Sequence, residues 1–324
     1  MRANGMCELG GSRCVFFEKY PSRMILDSGF TFRPKLGKRR YFTKLLSRAG
    51  KELVWIAEIP PSLGSAEKLR FLKGLSMAAI SIPDNPLASL HMESSTFAAY
   101  AKKVLGCEAI AHLTCRDLNR LAIKSRLLGL YFNNVEHVLA LTGDHPRLGS
   151  EEGSTPVFDL DSIRLIYLTR LLSDYGVDER GNPLSYKLKL QVGAGLNPYI
   201  PLRIELSRAL RKAEAGAEFF ITQLIFEPEP VEKLLEALRK ADVNMPIFVG
   251  FLLADKEQIY KFSKAISIPI AEVSDNLRGL AESYLEVLER LSELYGPVGA
   301  FISTLGKLKN FRVWDDVFRS VTQR

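Results

Sequence analysis

The sequence predicts an α/β protein, a (β/α)₈ TIM barrel with a basic N-terminal extension. Apolar runs such as VLAL, FFIT and IFVGFLL recur along the chain and are nearly continuous, which is typical of strands buried on both faces of a parallel sheet. A segment of helical period follows each run. Polar residues gather at the far ends of the runs, as they do at the chemical face of a barrel. A doubly wound sheet of eight strands is the alternative.

Eight segments are predicted as strands: Val54–Pro60, Ala78–Pro83, Ala109–Thr114, His137–Leu141, Lys187–Val192, Glu218–Leu224, Pro246–Leu252 and Val298–Ser303. Segments with apolar residues three and four apart are predicted as helices: Ala66–Ser76, Ser95–Leu105, Leu118–Phe132, Asp161–Tyr175, Leu202–Ala215, Pro230–Ala241, Lys256–Ala265 and Leu277–Tyr295. The segment Ile266–Asn276 could form a further strand, which leaves the identity of the eighth strand open.

Charge divides the chain into two predicted domains, a basic extension at residues 1–51 and a catalytic barrel at residues 52–324. Residues 1–51 hold 12 Lys/Arg against 3 Asp/Glu, a balance of +9, whereas the remainder holds 32 against 34. The run Lys35–Arg40 (KLGKRR) could attract nucleic acid. A solvated extension, or a cap on the bottom of the barrel, is the plainer interpretation. Because the body carries no basic bias, we do not expect nucleic acid as the main partner.

Composition and cysteine spacing exclude several classes of protein. The chain is 47% hydrophobic and 25% charged, with a mean hydropathy of +0.01, as in ordinary globular proteins. No apolar run approaches the roughly 18 residues of a membrane span, and the start (MRANGMCELGG) lacks a secretory apolar core. We therefore expect a cytoplasmic protein. Cysteines 7, 14, 107 and 115 lack the spacing of zinc ligands, so no metal site is expected.

Polar residues near the ends of the first and third strands are the first candidates for the site. Glu58 follows an apolar run and precedes two prolines. Desolvation at a barrel mouth raises the pKa of such a carboxyl, so it could act as a general acid; a salt bridge to a neighbouring strand is the structural alternative. His112 and Thr114 share one face of the third strand because they are two residues apart. A lone histidine there is otherwise a hydrogen-bonded core residue.

Three later strand ends carry further candidates. Gly143 would let the backbone pass close to a flat ligand that Asp144 faces, although a plain turn with an Asp cap has the same sequence. Gly193–Pro198 (GAGLNP) could donate backbone N–H groups to a phosphate, but a glycine loop alone is a weak signal. A buried Gln223 would need partners for both ends of its amide, so it either contacts a ligand or joins a polar network.

Five segments, in order, resemble the methylenetetrahydrofolate reductase family: EIPP, AHLTCRD, LALTGD, RKAEAGAEFFITQ and PIFVG. The resemblance extends from about residue 52 to residue 270. It implies a (β/α)₈ barrel that holds a non-covalent flavin, usually FAD and less often FMN. It also implies reduction of the methylene group of methylenetetrahydrofolate to methyl, in one-carbon metabolism and methionine biosynthesis. The reductant implied is NADH, NADPH or a reduced carrier protein.

The resemblance assigns roles residue by residue. Glu58 matches the acid that protonates the folate ring nitrogen, Asp144 the aspartate beside the pyrimidine edge of the flavin, and Gln223 the glutamine that contacts the pterin. Glu205 suits a ribose or adenine, and Lys212 a pyrophosphate. The positions that resemble flavin contacts are His112, Thr114, Gly143, Asp144, Glu205 and Lys212, with Asn197 nearest to the family's missing fifth-loop tyrosine and histidine.

Other departures from the family pattern bear on the substrate and the reductant. Thr142 replaces the arginine common before the Gly-Asp pair, although Arg116 could supply that charge. The phenylalanine after the seventh strand is replaced around Lys256–Glu257, and the FHFYTLNR-like segment reads AFISTLGKLKN. These changes put the use of NADH and the identity of the pterin in doubt more than the fold or the flavin.

Partners and alternative functions remain open at this point. The basic extension could dock an acidic electron carrier such as a ferredoxin, or a partner subunit, and the chain is expected to form a homo-oligomer. One alternative function is a non-redox pterin-binding barrel subunit that hands its methyl group to a partner methyltransferase. A basic-arm RNA-binding protein is a more distant alternative.

Overall fold

Eight parallel strands close into a barrel in a computed structural model, which describes residues 29–37, 43–151, 153–268, 270, 273, 274 and 276–322. The strands are β1 Trp55–Glu58, β2 Ala79–Ile82, β3 Glu108–Thr114, β4 His137–Leu141, β5 Gln191–Leu196, β6 Phe219–Ile225, β7 Ile247–Leu252 and β8 Val298–Ser303. They pair in chain order, and β8 returns to β1. The predicted (β/α)₈ barrel is therefore confirmed, and the doubly wound alternative is wrong.

The helices surround the barrel: α1 Lys44–Ala49, α2 Leu63–Lys68, α3 Ser94–Leu105, α4 Arg120–Phe132, α5 Ser162–Arg170, α6 Leu202–Glu214, α7 Pro228–Lys240, α8 Lys256–Ala265, α9 Leu277–Tyr295 and α10 Asn310–Thr322. The sequence predicted α3 to α9, placed α2 at Ala66–Ser76 instead of Leu63–Lys68, and missed α1 and α10. The described residues of 266–276 lie in no strand, so the eighth strand is Val298–Ser303 as first assigned. Among the described residues, no helix is both long and apolar enough to cross a membrane.

The fifth strand lies further along the chain than the sequence predicted, at Gln191–Leu196 instead of Lys187–Val192. A Cβ on Gly193 would lie 2.4 Å from the ring of Phe219, the residue paired with it on β6. The glycine is required because the aromatic ring occupies the space of its side chain. Residues 193–196 of this segment are therefore strand and not loop, and its binding of a phosphate stays a hypothesis.

Aromatic rings fill the lower half of the barrel. Phe219 and Phe248 are fully buried, and their rings meet edge to face with centroids 6.1 Å apart. A Cβ on Gly299 would lie 2.8 Å from Phe248, so a glycine again faces a phenylalanine of the neighbouring strand. Small barrels are packed in this way with side chains and have no pore.

Part of the basic extension packs on the barrel. Phe30 is fully buried against Tyr167 of α5, whose hydroxyl donates to the Pro34 carbonyl at 2.9 Å. At the amino ends of the strands, the Thr43 hydroxyl donates to Gln191 Oε1 at 2.6 Å. Residues 1–28 and 38–42, which include Cys7, Cys14 and most of the basic run, lie outside the described residues. The division at residue 51 stays a prediction.

His137 begins β4 and closes this lower end from inside the barrel. Its Nε2 lies 2.8 Å from the Thr43 hydroxyl oxygen. Because that hydroxyl gives its proton to Gln191, Nε2 carries the hydrogen and donates it to Thr43. Burial lowers the pKa of His137 to about 4, so the ring is neutral near pH 7.

Candidate active site

Glu58 is the last residue of β1, and its side chain is half-buried at the mouth of the barrel. Burial raises the pKa of the carboxyl, and a hydrogen bond from the hydroxyl of Ser303, its neighbour on β8, offsets part of that rise. A raised pKa favours the protonated form, the form that a general acid needs. The salt bridge weighed as the alternative has no cation within reach among the described residues.

His112 lies on the adjacent inner wall and is uncharged. Its Nε2 is 2.7 Å from the hydroxyl oxygen of Ser81, the β2 residue that pairs with Glu58. Burial lowers the pKa of His112 to about 3. The ring can therefore exchange hydrogen bonds with a ligand at neutral pH but cannot supply a positive charge.

Thr114, at the end of β3, is held by a carboxylate that the sequence analysis missed. Its backbone N–H and its hydroxyl both donate to Asp84 Oδ2 at 2.9 Å. Since the hydroxyl has only one hydrogen, Thr114 can offer a ligand only its oxygen lone pairs. Asp84 follows β2 in the turn Asp84-Asn85-Pro86. The other candidates also lie at or just after the carboxyl ends of strands, so this position could have identified Asp84 from the sequence.

Gly143 is required at the end of β4 for two reasons. Its φ is +89°, a region that favours glycine. A Cβ there would lie 3.0 Å from Arg116 Cβ and 3.1 Å from Thr114 Cβ. The backbone therefore passes directly over the end of β3, and Asp144 follows it with an exposed side chain.

Arg116 is buried close to this turn but is already paired. Its Nε and Nη2 atoms each donate to one carboxylate oxygen of Asp117 at 2.7 Å. This pairing raises the pKa of the guanidinium, with smaller contributions from Asp84 and Asp144. The carboxylate of Asp117 thus balances most of the positive charge of Arg116.

The structure brings together Asn197, Glu205 and Lys212 beside the end of β5. The buried Glu205 carboxylate accepts the Asn197 N–H at 3.0 Å and lies 3.9 Å from Lys212 Nζ. That ammonium donates to the Gly195 carbonyl at 2.6 Å, and burial lowers its pKa. A cavity of about 190 Å³ adjoins Glu205; it is lined by Pro198, Ile200, Leu202, Glu205, Glu229, Pro230, Lys233 and Leu234.

Gln223 is exposed near the end of β6, so the expectation that it is buried is wrong. The neighbouring pairs Ile221↔Phe248 and Leu224↔Gly250 show that β6 holds one more residue than β7 at this point. This irregularity is a β-bulge, and it directs the side chain away from the core. In the described part of the chain, no group of three or more His, Cys, Asp or Glu side chains is arranged to hold a metal ion.

Comparison with known proteins gives one family. The family model described as methylenetetrahydrofolate reductase matches residues 65–283, a range that includes every candidate above except Glu58 and its partner Ser303. Methylenetetrahydrofolate reductase 2 of Saccharomyces cerevisiae is 28% identical over 141 residues, which is 41% of this chain and 21% of the relative. The 5,10-methylenetetrahydrofolate reductase of Pectobacterium carotovorum subsp. carotovorum is 27% identical over 128 residues, 40% of this chain and 38% of the relative.

These alignments span well under half the length of the curated relatives. Among solved structures, an uncharacterised Clostridium thermocellum protein that binds two copies of 5-methyl-5,6,7,8-tetrahydrofolic acid superimposes with a TM-score of 0.61. It is 14% identical and covers 86% of this chain and 98% of its own. At that identity the likeness shows a shared barrel fold.

Proposed function

The chain belongs to the methylenetetrahydrofolate reductase family, and on this premise we propose that it reduces the methylene group of methylenetetrahydrofolate, or of a related pterin one-carbon carrier, to methyl. The reaction requires a proton donor and a fixed negative charge at one site. The observation that carries the proposal is the pair of carboxyls at the mouth. Burial raises the pKa of Glu58, whereas Asp144 is exposed beside Gly143. Two carboxyls in different environments suit an acid and a stabilising anion.

The residues at the mouth fit a flavin as the cofactor, FAD rather than FMN. Gly143 lets the turn after β4 pack closely against Thr114 and Arg116, and Thr114 offers an acceptor to a ring N–H. The Lys212 ammonium lies 3.9 Å from Glu205, a residue that lines the cavity, and its charge suits the pyrophosphate that FAD has and FMN lacks. His112 and Asn197 would complete the cradle. When bound, a reduced flavin supplies the hydride.

The protein's own residues would then perform the remaining chemistry. Glu58 would deliver its proton to the bridge nitrogen outside the pterin ring, so that its bond to the bridge carbon breaks and a cationic iminium carbon is left on the pterin nitrogen. Asp144 provides negative charge to that cation, and Gln223 holds the pterin. Fixed groups of this kind stabilise charge without reorganising at the moment of reaction.

The reductant and the partner form a separate part of the proposal. NADH, NADPH or a reduced carrier protein would recharge the flavin, and the product would enter cytoplasmic one-carbon metabolism towards methionine. The +9 balance of residues 1–51, set apart from an almost neutral body, supports an acidic carrier or a partner subunit that docks on the extension.

The spectrum of the purified protein tests the proposal. We expect a yellow protein that releases one FAD per chain, and whose reduced form is reoxidised by methylenetetrahydrofolate with formation of the methyl product. A colourless protein that takes up neither FAD nor FMN would refute the proposal and favour a non-redox pterin-binding subunit. Stoichiometric FMN would preserve the reaction but remove the roles of Glu205 and Lys212.

A further inference from the structure

We propose that Thr222 is a positioning residue, whose hydroxyl fixes the bulge of β6 so that Gln223 presents its amide NH₂ group to a hydrogen-bond acceptor on the pterin. The inference rests on the proposed function, in which Gln223 contacts the substrate. It adds a residue that acts through Gln223 and specifies which end of the amide meets the ligand.

At the bulge, a side-chain hydroxyl takes the place of the backbone carbonyl as the acceptor of one β7 N–H group. Thr222 is 4% exposed, and its hydroxyl oxygen accepts the Gly250 N–H of β7 at 2.9 Å. The same hydroxyl donates its hydrogen to the Gln223 carbonyl at 2.8 Å. In a regular parallel ladder a β6 carbonyl would accept the Gly250 N–H. Thr222 therefore satisfies a buried donor that the extra residue would otherwise leave without a partner.

Gly250 provides the space that this arrangement needs. A Cβ on Gly250 would lie 3.0 Å from the carbonyl oxygens of both Thr222 and Gln223. The two carbonyls thus pack against bare backbone on β7. A hydroxyl on one strand and a missing side chain on the other together determine where the bulge lies.

The orientation of the Gln223 amide follows from its own contact. Its Oε1 accepts the Leu224 N–H at 2.9 Å, so the carbonyl end of the amide is occupied. Its nitrogen has no acceptor among the residues that the structure describes. Gln223 therefore presents two donors at the mouth, and they complement a pterin ring nitrogen or carbonyl oxygen that accepts hydrogen bonds. Loss of the bulge would move or turn this group.

The test is a double-mutant cycle read by calorimetric titration of the flavin-loaded protein with 5-methyltetrahydrofolate. Thr222→Val keeps the side-chain shape but removes the hydroxyl, and it should weaken binding about three- to tenfold, as expected for one displaced hydrogen bond. Thr222→Ser restores the hydroxyl and should bind within about twofold of the unaltered protein. The matched control is Thr169→Val, because Thr169 is a fully buried threonine on α5 whose hydroxyl bonds only within its helix.

Coupling separates positioning from a general loss of structure. Once Gln223→Ala has removed the amide, Thr222→Val should have no further effect on binding, because Thr222 acts through Gln223. Additive losses would overturn the inference. If Gln223→Ala weakens binding and Thr222→Val does not, the inference fails and the proposed function stands. If Gln223→Ala binds like the unaltered protein, the substrate role of Gln223 fails, and the inference fails with it.

Amide hydrogen exchange gives a readout that needs no ligand. Thr222→Val removes the acceptor of the Gly250 N–H, so this amide should exchange at least about tenfold faster, whereas Thr169→Val should leave it unchanged. Unaltered exchange at Gly250 in Thr222→Val would show that the hydroxyl does not hold the bulge.

Discussion

Replacing Glu58 with glutamine is the most direct test of the proposed chemistry. The carboxyl is half-buried at the end of β1 and has a hydroxyl donor in Ser303. Glutamine has nearly the same shape and can accept the same hydrogen bond through Oε1, but it cannot deliver a proton. The change therefore removes the acid and leaves the architecture of the mouth intact.

The expected kinetic loss follows from the role of a general acid. Positioned acids contribute about 10²- to 10⁴-fold, so transfer of the hydride to the pterin should slow by about a hundredfold or more, equivalent to at least about 2.7 kcal/mol. Reduction of the flavin by its own donor needs no such proton and should keep its rate. Stopped-flow absorbance at the flavin band measures the two half-reactions separately.

Burial also predicts an effect of Glu58→Gln on stability. Because the folded pKa of Glu58 lies above the unfolded value, its contribution to stability is fully present below the unfolded pKa and is lost as pH rises through the folded pKa. Glutamine does not ionise. In urea unfolding, the variant should therefore gain stability relative to the unaltered protein as pH rises above about 4.5, the ordinary value for glutamate.

A second buried glutamate supplies the control. Glu218 lies at the opposite, amino-terminal end of the barrel, where it accepts hydrogen bonds from Gln191 Nε2 and the Val192 N–H. Glu218→Gln should change stability but neither half-reaction. Pterin reduction at the native rate in Glu58→Gln would remove Glu58 from the mechanism, and equal slowing of both half-reactions in both variants would point to general damage.

Three further predictions concern the flavin, acid stability and the basic run. Lys212→Ala should weaken FAD binding about ten- to a hundredfold, since one charged hydrogen bond is worth about 1.5–3 kcal/mol. Glu58→Gln should leave FAD binding unchanged. Equal loss of flavin from both variants, measured by fluorescence, would contradict the role assigned to Lys212. Because burial lowers the pKa of His137 to about 4, the protein should lose stability as pH falls from 6.5 towards about 4. Urea unfolding of His137→Gln should show a shallower pH dependence over this range, and an unchanged dependence would contradict the prediction. Alanine at all three positions of Lys38–Arg40 should leave reduction by an artificial dye unchanged but weaken salt-sensitive binding to an acidic carrier, and unaltered binding would exclude this run as the docking element.

The local pattern of apolar and polar residues was enough to predict the barrel and the end of the barrel at which the candidate site lies. The apolar runs ending in Glu58, Thr114 and Asp144 place polar groups at the carboxyl ends of strands, and the structure brings those ends to one mouth. This prediction is possible because a strand buried on both faces of a parallel sheet is a nearly continuous run of apolar residues, which a few consecutive positions reveal.

What the sequence did not predict depends on residues far apart in the chain. Gly193 reads locally as a turn, and only the ring of Phe219, 26 residues later, makes it a strand residue. Gln223 was expected to be buried because period-two alternation cannot reveal a bulge held by Gly250. Asp84 has an ordinary turn sequence, and its importance appears only through its bonds to Thr114.

The filled lower half of the barrel also limits how ligands can enter and leave the site. Among the described residues, Phe219 and Phe248 fill this half of the barrel, and Thr43 and His137 are hydrogen-bonded beneath them, so these side chains close its lower end. Whatever reacts at the mouth must arrive and depart through the same opening. An electron donor and a pterin that use the same face of a cofactor would therefore have to alternate, each waiting for the other to leave.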